Sequence, residues 1–324
     1  MQEKVIILLS TYNAQEYLAE QLESLFQQTY PNIEIVIRDD GSTDRTVAMV
    51  ARYCEEHENL TFYQGENVGA AASFFDLMKN VRNREFAYCA FCDQDDVWLP
   101  DKVEVAVAAI SSKSAELKNT ASKSDKEEMK KSPILYCSRA QLVDASLQPI
   151  KEEIKKEIRP AFANALIENI VTGCTTVLNR EMYEIAVEHI PNYCIMHDWW
   201  LYLLASSFGT VLYDKNSRIL YRQHGNNAMG IDGSYKTELK NRIRKYGKRR
   251  NNLSKQAAEY VRLLEEKGED KIKEYASYYN AACILAQYKE NFAKRKKLVS
   301  GRIVYRQRKA DDWIYRILFL LGIR

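Results

Sequence analysis

A chain of 324 residues that is 46% hydrophobic and 28% charged can bury a sizeable core, which excludes a disordered protein. A formal net charge of +3 gives no general affinity for nucleic acid. Seven cysteines, an odd number scattered along the chain, exclude a disulfide framework, and the lone CAFC (Cys89–Cys92) reads as buried strand thiols rather than a zinc site.

The first hundred residues alternate strand and helix. MQEKVIILLSTYN opens with too short an apolar run for a signal peptide. Within it KVIILLS (Lys4–Ser10) is a strand buried on both faces. AQEYLAEQLESLFQQ follows at helical spacing, IEIVIRDD (Ile33–Asp40) is a second strand, and Ser42 is placed to cap the helix TDRTVAMVARYCEEH. LTFYQ, AAASFFDLMKNV and FAYCAFCD continue as strand, helix and strand, and Pro100 opens the helix DKVEVAVAAI. Four such alternations predict an α/β fold with a mostly parallel central sheet and helices on both faces. SSKSAELKNTASKSDKEEMKKS (111–132) has few large apolar residues and reads as a surface insertion.

Ligands of such sheets bind beyond the carboxyl ends of the strands. There the chain carries STYN (Ser10–Asn13), DDGSTD (Asp39–Asp44), ENVG (Glu66–Gly69) and DQDD (Asp93–Asp96). Ser, Asp and Gly are also ordinary turn residues; four such clusters at one edge say more than any one. No GxGxxG or GxxxxGK[ST] supplies a phosphate cradle, and DQDDVW lacks the glycine of a calcium loop. Paired carboxylates without such a cradle suit Mg²⁺ or Mn²⁺ holding a diphosphate.

STYN, DDGSTD, ENVG and DQDDVWLPDK, in this order, resemble a family 2 glycosyltransferase with the nucleotide-sugar-binding GT-A fold, over roughly Lys4 to Asn227. DQDDVW followed by VTGCTTVLN, MHDWW and YRQHGNN is similar to bacterial rhamnosyltransferases of cell-wall or capsular polysaccharide synthesis. The resemblance implies a nucleotide-sugar donor bound by Thr11, Tyr12, Asn13, Asp40, Gly69, Asp93 and Asp95. Tyr12 would touch the base, Asp40 would accept from its N3–H, Asp93 would face the ribose or sugar, and Asp95 would ligate the metal. Gly69 would let backbone approach the donor. His224, in YRQHGNN, is implied as a further metal or diphosphate contact. Asp198 is implied as the general base, although an acid at a helix start is also an ordinary cap. Gly173, Trp199, Trp200 and Asp96 are assigned to the acceptor side, with one of the two indoles expected in the core.

The implied activity is inverting, metal-dependent transfer of one or a few sugars, with L-rhamnose from dTDP-β-L-rhamnose and an α linkage as the leading donor. A UDP-hexose or UDP-N-acetylhexosamine is the alternative. The expected acceptor is a saccharide or an undecaprenyl-linked glycan. A sugar nucleotidyltransferase is disfavoured because STYNAQEY has no Gly-rich, Arg-containing loop, and a non-catalytic binding partner because Asp95 and Asp198 are both present.

The expected division is a catalytic domain over 1–227, with a donor half to about 110 and an acceptor half from 133, and a basic helical region over 228–324. KTELKNRIRKYGKRR is strongly basic, two amphipathic helices break at Gly268, and the chain ends in DDWIYRILFLLGIR. No stretch reaches the ~20 apolar residues a spanning helix needs. A Trp-led apolar helix with basic neighbours suits an anionic membrane surface, or else a second subunit. The expected location is therefore cytoplasmic, peripheral on the inner face of the plasma membrane.

Overall fold

The structure is a computed structural model and describes residues 2–120, 132–150, 157–223, 252–301 and 303–322. Its chain divides into two compact units. The first comprises Met1–Glu157, Val171–Ile190 and Met196–Arg222, and the second Ile158–Ile170, Pro191–Ile195 and Gln223–Arg324. The expected single boundary at 227 is thus replaced by one at Arg222, and two short stretches of the expected catalytic part belong to the second unit.

The first unit is built on eight strands: β1 (Val5–Thr11), β2 (Ile33–Asp39), β3 (Leu60–Gln64), β4 (Tyr88–Cys92), β5 (Val97–Trp98), β6 (Ile134–Val143), β7 (Val177–Asn179) and β8 (Thr210–Arg222). Their order is β3-β2-β1-β4-β7-β6-β8-β5. The pairs β1–β2, β2–β3, β1–β4 and β6–β8 are parallel, whereas β7 and β5 run antiparallel to their neighbours.

Strand β1 lies near the middle, and its continuous apolar run is buried throughout. Val5, Ile7 and Leu9 share a core with Leu18 and Leu22 of α1 (Leu18–Phe26), Val50 of α2 (Thr46–Glu56), and Val103 and Ala106 of α4 (Lys102–Thr120). Ile6 and Leu8 are buried on the opposite face, the side of α3 (Ala70–Val81). The second half adds the short α5 (Phe162–Ala165), α6 (Arg180–Glu188) and α7 (His197–Phe208). Register sets Thr11 beside Asp39 and Leu9 beside Cys92. The three polar clusters that follow these residues therefore emerge at one edge of the sheet.

Two expectations change here. Helix α4 continues to Thr120, through the first ten residues of the predicted insertion; residues 121–131 lie outside the described residues. The start of α2 is held by Asp44, whose Oδ1 accepts from Thr46 N at 2.9 Å and whose carboxyl is held below its usual range, and not by Ser42. Ser42 instead donates its hydroxyl to Asp39. All seven cysteines are free.

The second unit holds α8 (Asn252–Lys267), α9 (Glu269–Glu274), α10 (Ala276–Gln287), α11 (Phe292–Ser300) and α12 (Lys309–Leu320). Gly268 breaks the first pair at φ 94°. Tyr288 and Phe319 pack edge to face at 5.1 Å, and Arg306 pairs with Glu168 at 2.8 Å. No helix among the described residues is long and apolar enough to cross a membrane.

Candidate active site

The turn after β1 is fastened to the loop after β4 by one side chain. Gln94 Oε1 accepts from Tyr12 N at 2.6 Å, and Gln94 Nε2 donates to Tyr12 O at 3.1 Å. The amide between the carboxylates thus has a mechanical role that its sequence position alone does not reveal. Tyr12 keeps an exposed ring, 47% accessible, whereas Thr11 is buried and turns its hydroxyl to Asp39. Asn13 sits at φ 48°, and its Oδ1 accepts from Thr43 N. Asn13 and Thr11 therefore shape the turn around Tyr12.

Asp40 is only 3% exposed. Its carboxylate accepts from Arg38 Nη1 and from the backbone N–H groups of Val68 and Gly69, both at 2.9 Å. A carboxylate offers about four acceptor positions, so a base N–H would be a fourth partner. The bonds seen here fix the ENVG turn instead. Gly69 adopts φ 83°, which disfavours any side chain, and a Cβ there would meet nothing within 4 Å. The backbone at Gly69 thus borders open space.

The DQDD loop concentrates charge. Asp93 and Asp95 are half-buried and Asp96 is fully buried. Burial first, then the charges of Asp95 and Asp198, push the Asp93 carboxyl up to about 7. Asp96 is raised well above its usual range by burial and by Asp95 and Asp93. Its Oδ1 accepts from Arg222 N at 3.1 Å, and the Cys174 thiol lies beside the carboxylate. Asp96 is thus closed off from an acceptor, contrary to its predicted placement. Lys102 is buried beside this loop, with Nζ 3.3 Å from the centre of the Trp98 ring. Burial lowers its ammonium to about 8, against the opposing charges of Cys174, Cys92 and Asp96. Ligand atoms of Asp93, Asp96 and Cys174 lie within 4.8 Å of one another. Burial pushes the Cys174 thiol well up, which suits it poorly to a hard cation. The half-buried carboxylates of Asp93 and Asp95 are hard oxygen donors of the kind that suit Mg²⁺ or Mn²⁺.

The second half brings Asp198 near enough for its charge to help raise the Asp93 carboxyl. Asp198 stands in the first turn of α7, where the helix dipole favours an acid. Its Oδ2 accepts from Gly173 N at 3.0 Å and its Oδ1 from Trp199 N at 2.7 Å. Gly173 was predicted on the acceptor side; here it is buried and orients Asp198. His197 packs against the same glycine and over Phe74, with ring centres 4.1 Å apart, and burial lowers it to about 3, so it stays neutral. A Cβ on Gly173 would lie 2.9 Å from His197 Nε2. Gly173→Ala is accordingly expected to cost about 1–3 kcal/mol of stability through overpacking and to lower kcat by displacing Asp198. Thermal unfolding and turnover of the variant test both; native values for both would reduce Gly173 to a turn residue.

Trp200 is 1% exposed and donates Nε1–H to His189 O at 2.8 Å. A buried indole cannot stack on a sugar, so of the pair only the half-buried Trp199 can. Arg222, Gln94, Lys102, Arg38 and His197 were missed from sequence. The available signal was a charged or polar residue ending or adjoining an apolar run, as in ILYR. His224 and the basic stretch at 236–250 lie outside the described residues.

The model of Glycosyl transferase family 2 matches residues 6–185. The chain is a family 2 glycosyltransferase. This glycosyltransferase is 30% identical over 249 residues to the dTDP-rhamnosyl transferase RfbG of Shigella flexneri, covering 72% of this chain and 77% of that protein. It is 29% identical over 208 residues to the putative teichuronic acid biosynthesis glycosyltransferase TuaG of Bacillus subtilis, covering 63% and 73%. Against an uncharacterized glycosyltransferase of Rickettsia typhi it spans 64% of the relative's length at 25% identity. Among solved structures, S. aureus TarS residues 1–349 with UDP-GlcNAc superposes with TM-score 0.56 at 16% identity, covering 98% of this chain and 91% of that one. A mannosyltransferase from Pyrobaculum calidifontis, solved with GDP-Man and Mn²⁺, gives 0.52 at 17% identity, covering 100% and 86%. These likenesses establish the expected GT-A fold.

Proposed function

We propose that this glycosyltransferase moves L-rhamnose from dTDP-β-L-rhamnose to a saccharide or lipid-linked glycan in bacterial polysaccharide synthesis, with inversion and with Mn²⁺ or Mg²⁺. The observation that carries the reading is the carboxylate of Asp198, fixed by two backbone N–H groups in the second half of the fold and close enough to Asp93 to raise its carboxyl. The similarity to a dTDP-rhamnosyl transferase supports the donor.

Tyr12 borders the base, with Asp40 within the same turn system, and the open approach at Gly69 admits the nucleotide. Asp93 faces the ribose or sugar, and Asp95 would hold the cation. When bound, the cation would offset charge on the departing diphosphate. Asp198, oriented by two backbone N–H groups, takes the proton of the incoming hydroxyl. The acceptor oxygen bonds to the anomeric carbon as the bond to diphosphate oxygen breaks, so a β donor gives an α product. Product NMR after incubation with dTDP-β-L-rhamnose, Mn²⁺ and a panel of saccharide and polyprenyl-linked acceptors tests the outcome. An α-rhamnoside is expected; a β-rhamnoside would overturn inversion.

The second unit we place on the anionic inner surface of the plasma membrane. Trp313, Ile317 and Leu321 are 69%, 54% and 61% exposed at intervals of four residues, while Tyr315 and Phe319 of the same segment are buried within the unit. Helix α11, with Lys296 and Lys297 exposed, lies beside it through the bond from Arg316 to Val299 O. The double substitution Trp313→Glu, Ile317→Glu is expected to weaken binding to anionic vesicles by at least about tenfold, since burying either side chain contributes about 1.5–3 kcal/mol. Unfolding temperature should be unchanged. A shift from dimer to monomer, with no vesicle binding by the parent chain, would assign the stripe to a second subunit instead.

A further inference from the structure

We propose that Arg222 is the positioning residue of the carboxylate loop, setting the direction of Asp95 toward the cation; this rests on the reading of Asp95 as metal ligand. Arg222 ends β8 and is 2% exposed. Three segments meet on it. Its backbone N–H donates to Asp96 Oδ1 at 3.1 Å, and its Nε donates to the Asp95 carbonyl at 2.8 Å. Nη1 donates to the Ala145 carbonyl, in the turn after β6, and Nη2 to the carboxylate of Glu20 in α1. The guanidinium also lies over the Tyr17 ring, 4.6 Å from its centre.

The chemistry of these bonds makes the arrangement more than packing. Asp95 lies between β4 and β5, outside either strand. The bond from Arg222 Nε to its carbonyl, and that from Arg222 N to the next side chain, grip both sides of the Asp95–Asp96 peptide. Fixing that peptide fixes where the Asp95 side chain leaves the backbone. Only a planar fork with several donors can serve a carbonyl, a second carbonyl and a carboxylate at once; an ammonium cannot span them in fixed directions. Burying a guanidinium is costly unless it is paired. Glu20 supplies the pairing charge while its own side chain stays half in solvent. Outer partners of this kind typically change metal affinity 10–100-fold when removed.

The test is Mn²⁺ binding by the full chain, read as free Mn²⁺ by electron paramagnetic resonance without substrate. Arg222→Met is expected to weaken Mn²⁺ binding 10–100-fold, Arg222→Lys nearly as much, and Glu20→Gln several-fold with an unchanged unfolding temperature. Because the carboxylates remain, saturating Mn²⁺ should restore most of kcat in the Arg222 variants; it should restore none in Asp95→Asn. Wild-type Mn²⁺ affinity in whichever of the Arg222 variants folds, or in Glu20→Gln should neither fold, would overturn the proposal. Normal Mn²⁺ binding by Asp95→Asn would instead remove the metal reading itself, a separate outcome read from a separate variant.

Discussion

Asp95→Asn should lower metal-dependent turnover by at least about 10³-fold, because Lewis-acid stabilisation of several kcal/mol is at stake and each 1.36 kcal/mol is a decade. The amide keeps the size of the side chain but is a poor substitute for a carboxylate on a hard cation. The fold should survive. Asp95 is half-buried in a loop held by its backbone carbonyl, which the substitution leaves in place. Its charge also raises Asp93 and Asp96, so removing it relieves repulsion in the pocket. Rates measured over a range of Mn²⁺ and Mg²⁺, beside thermal unfolding, check both halves. Wild-type turnover at matched metal would remove Asp95 from the mechanism.

Asp198→Asn should lower kcat by about 10²–10⁴-fold, the usual worth of a positioned general base, with donor and metal binding retained. The carboxylate is fixed by Gly173 N and Trp199 N. An amide keeps one good acceptor for these two donors, so about 1–3 kcal/mol of stability is lost with the other. That stability loss is shared with any cap; the fall in the chemical step is not. Single-turnover rates and donor affinity separate the two. A weaker donor affinity with an undiminished chemical step would leave Asp198 as a helix cap.

The donor half was readable because its elements are periodic and its ends are marked by turn chemistry. LTFYQ and AAASFFDLMKNV match β3 and α3 residue for residue. β1 is shifted by one residue at each end and β2 ends one residue earlier, because their last apolar positions run straight into polar turns. The extension of α4 to Thr120 was hidden because full burial on the helix stops at Ile110. Beyond it Leu117 still packs half-buried against the core and Lys113 pairs with Glu116, but the Ser and Lys around them read equally well as loop. The chain's division was hidden for another reason. Ile158–Ile170 joins the second unit through contacts such as Phe162 with Tyr260, whose ring centres lie 4.9 Å apart, and no local pattern encodes a pairing across 98 positions.

In the site, sequence identified the carboxylates but not what holds them. DQDD and HDWW stand out by composition. Gln94 clasping Tyr12, Gly173 carrying Asp198 and Arg222 gripping the loop are long-range bonds made by residues with ordinary local roles. Trp200 shows the converse. An indole beside Asp198 invited a sugar contact, with one of the two expected in the core, and three-dimensional packing makes Trp200 that one.

The most direct measurement is release of nucleoside diphosphate by the full chain from a panel of dTDP- and UDP-sugars, with Mn²⁺, with Mg²⁺, and with chelator. The account predicts release from dTDP-β-L-rhamnose that needs a divalent cation and disappears on Asp95→Asn. Release unaffected by chelator, or confined to UDP-sugars, would contradict it.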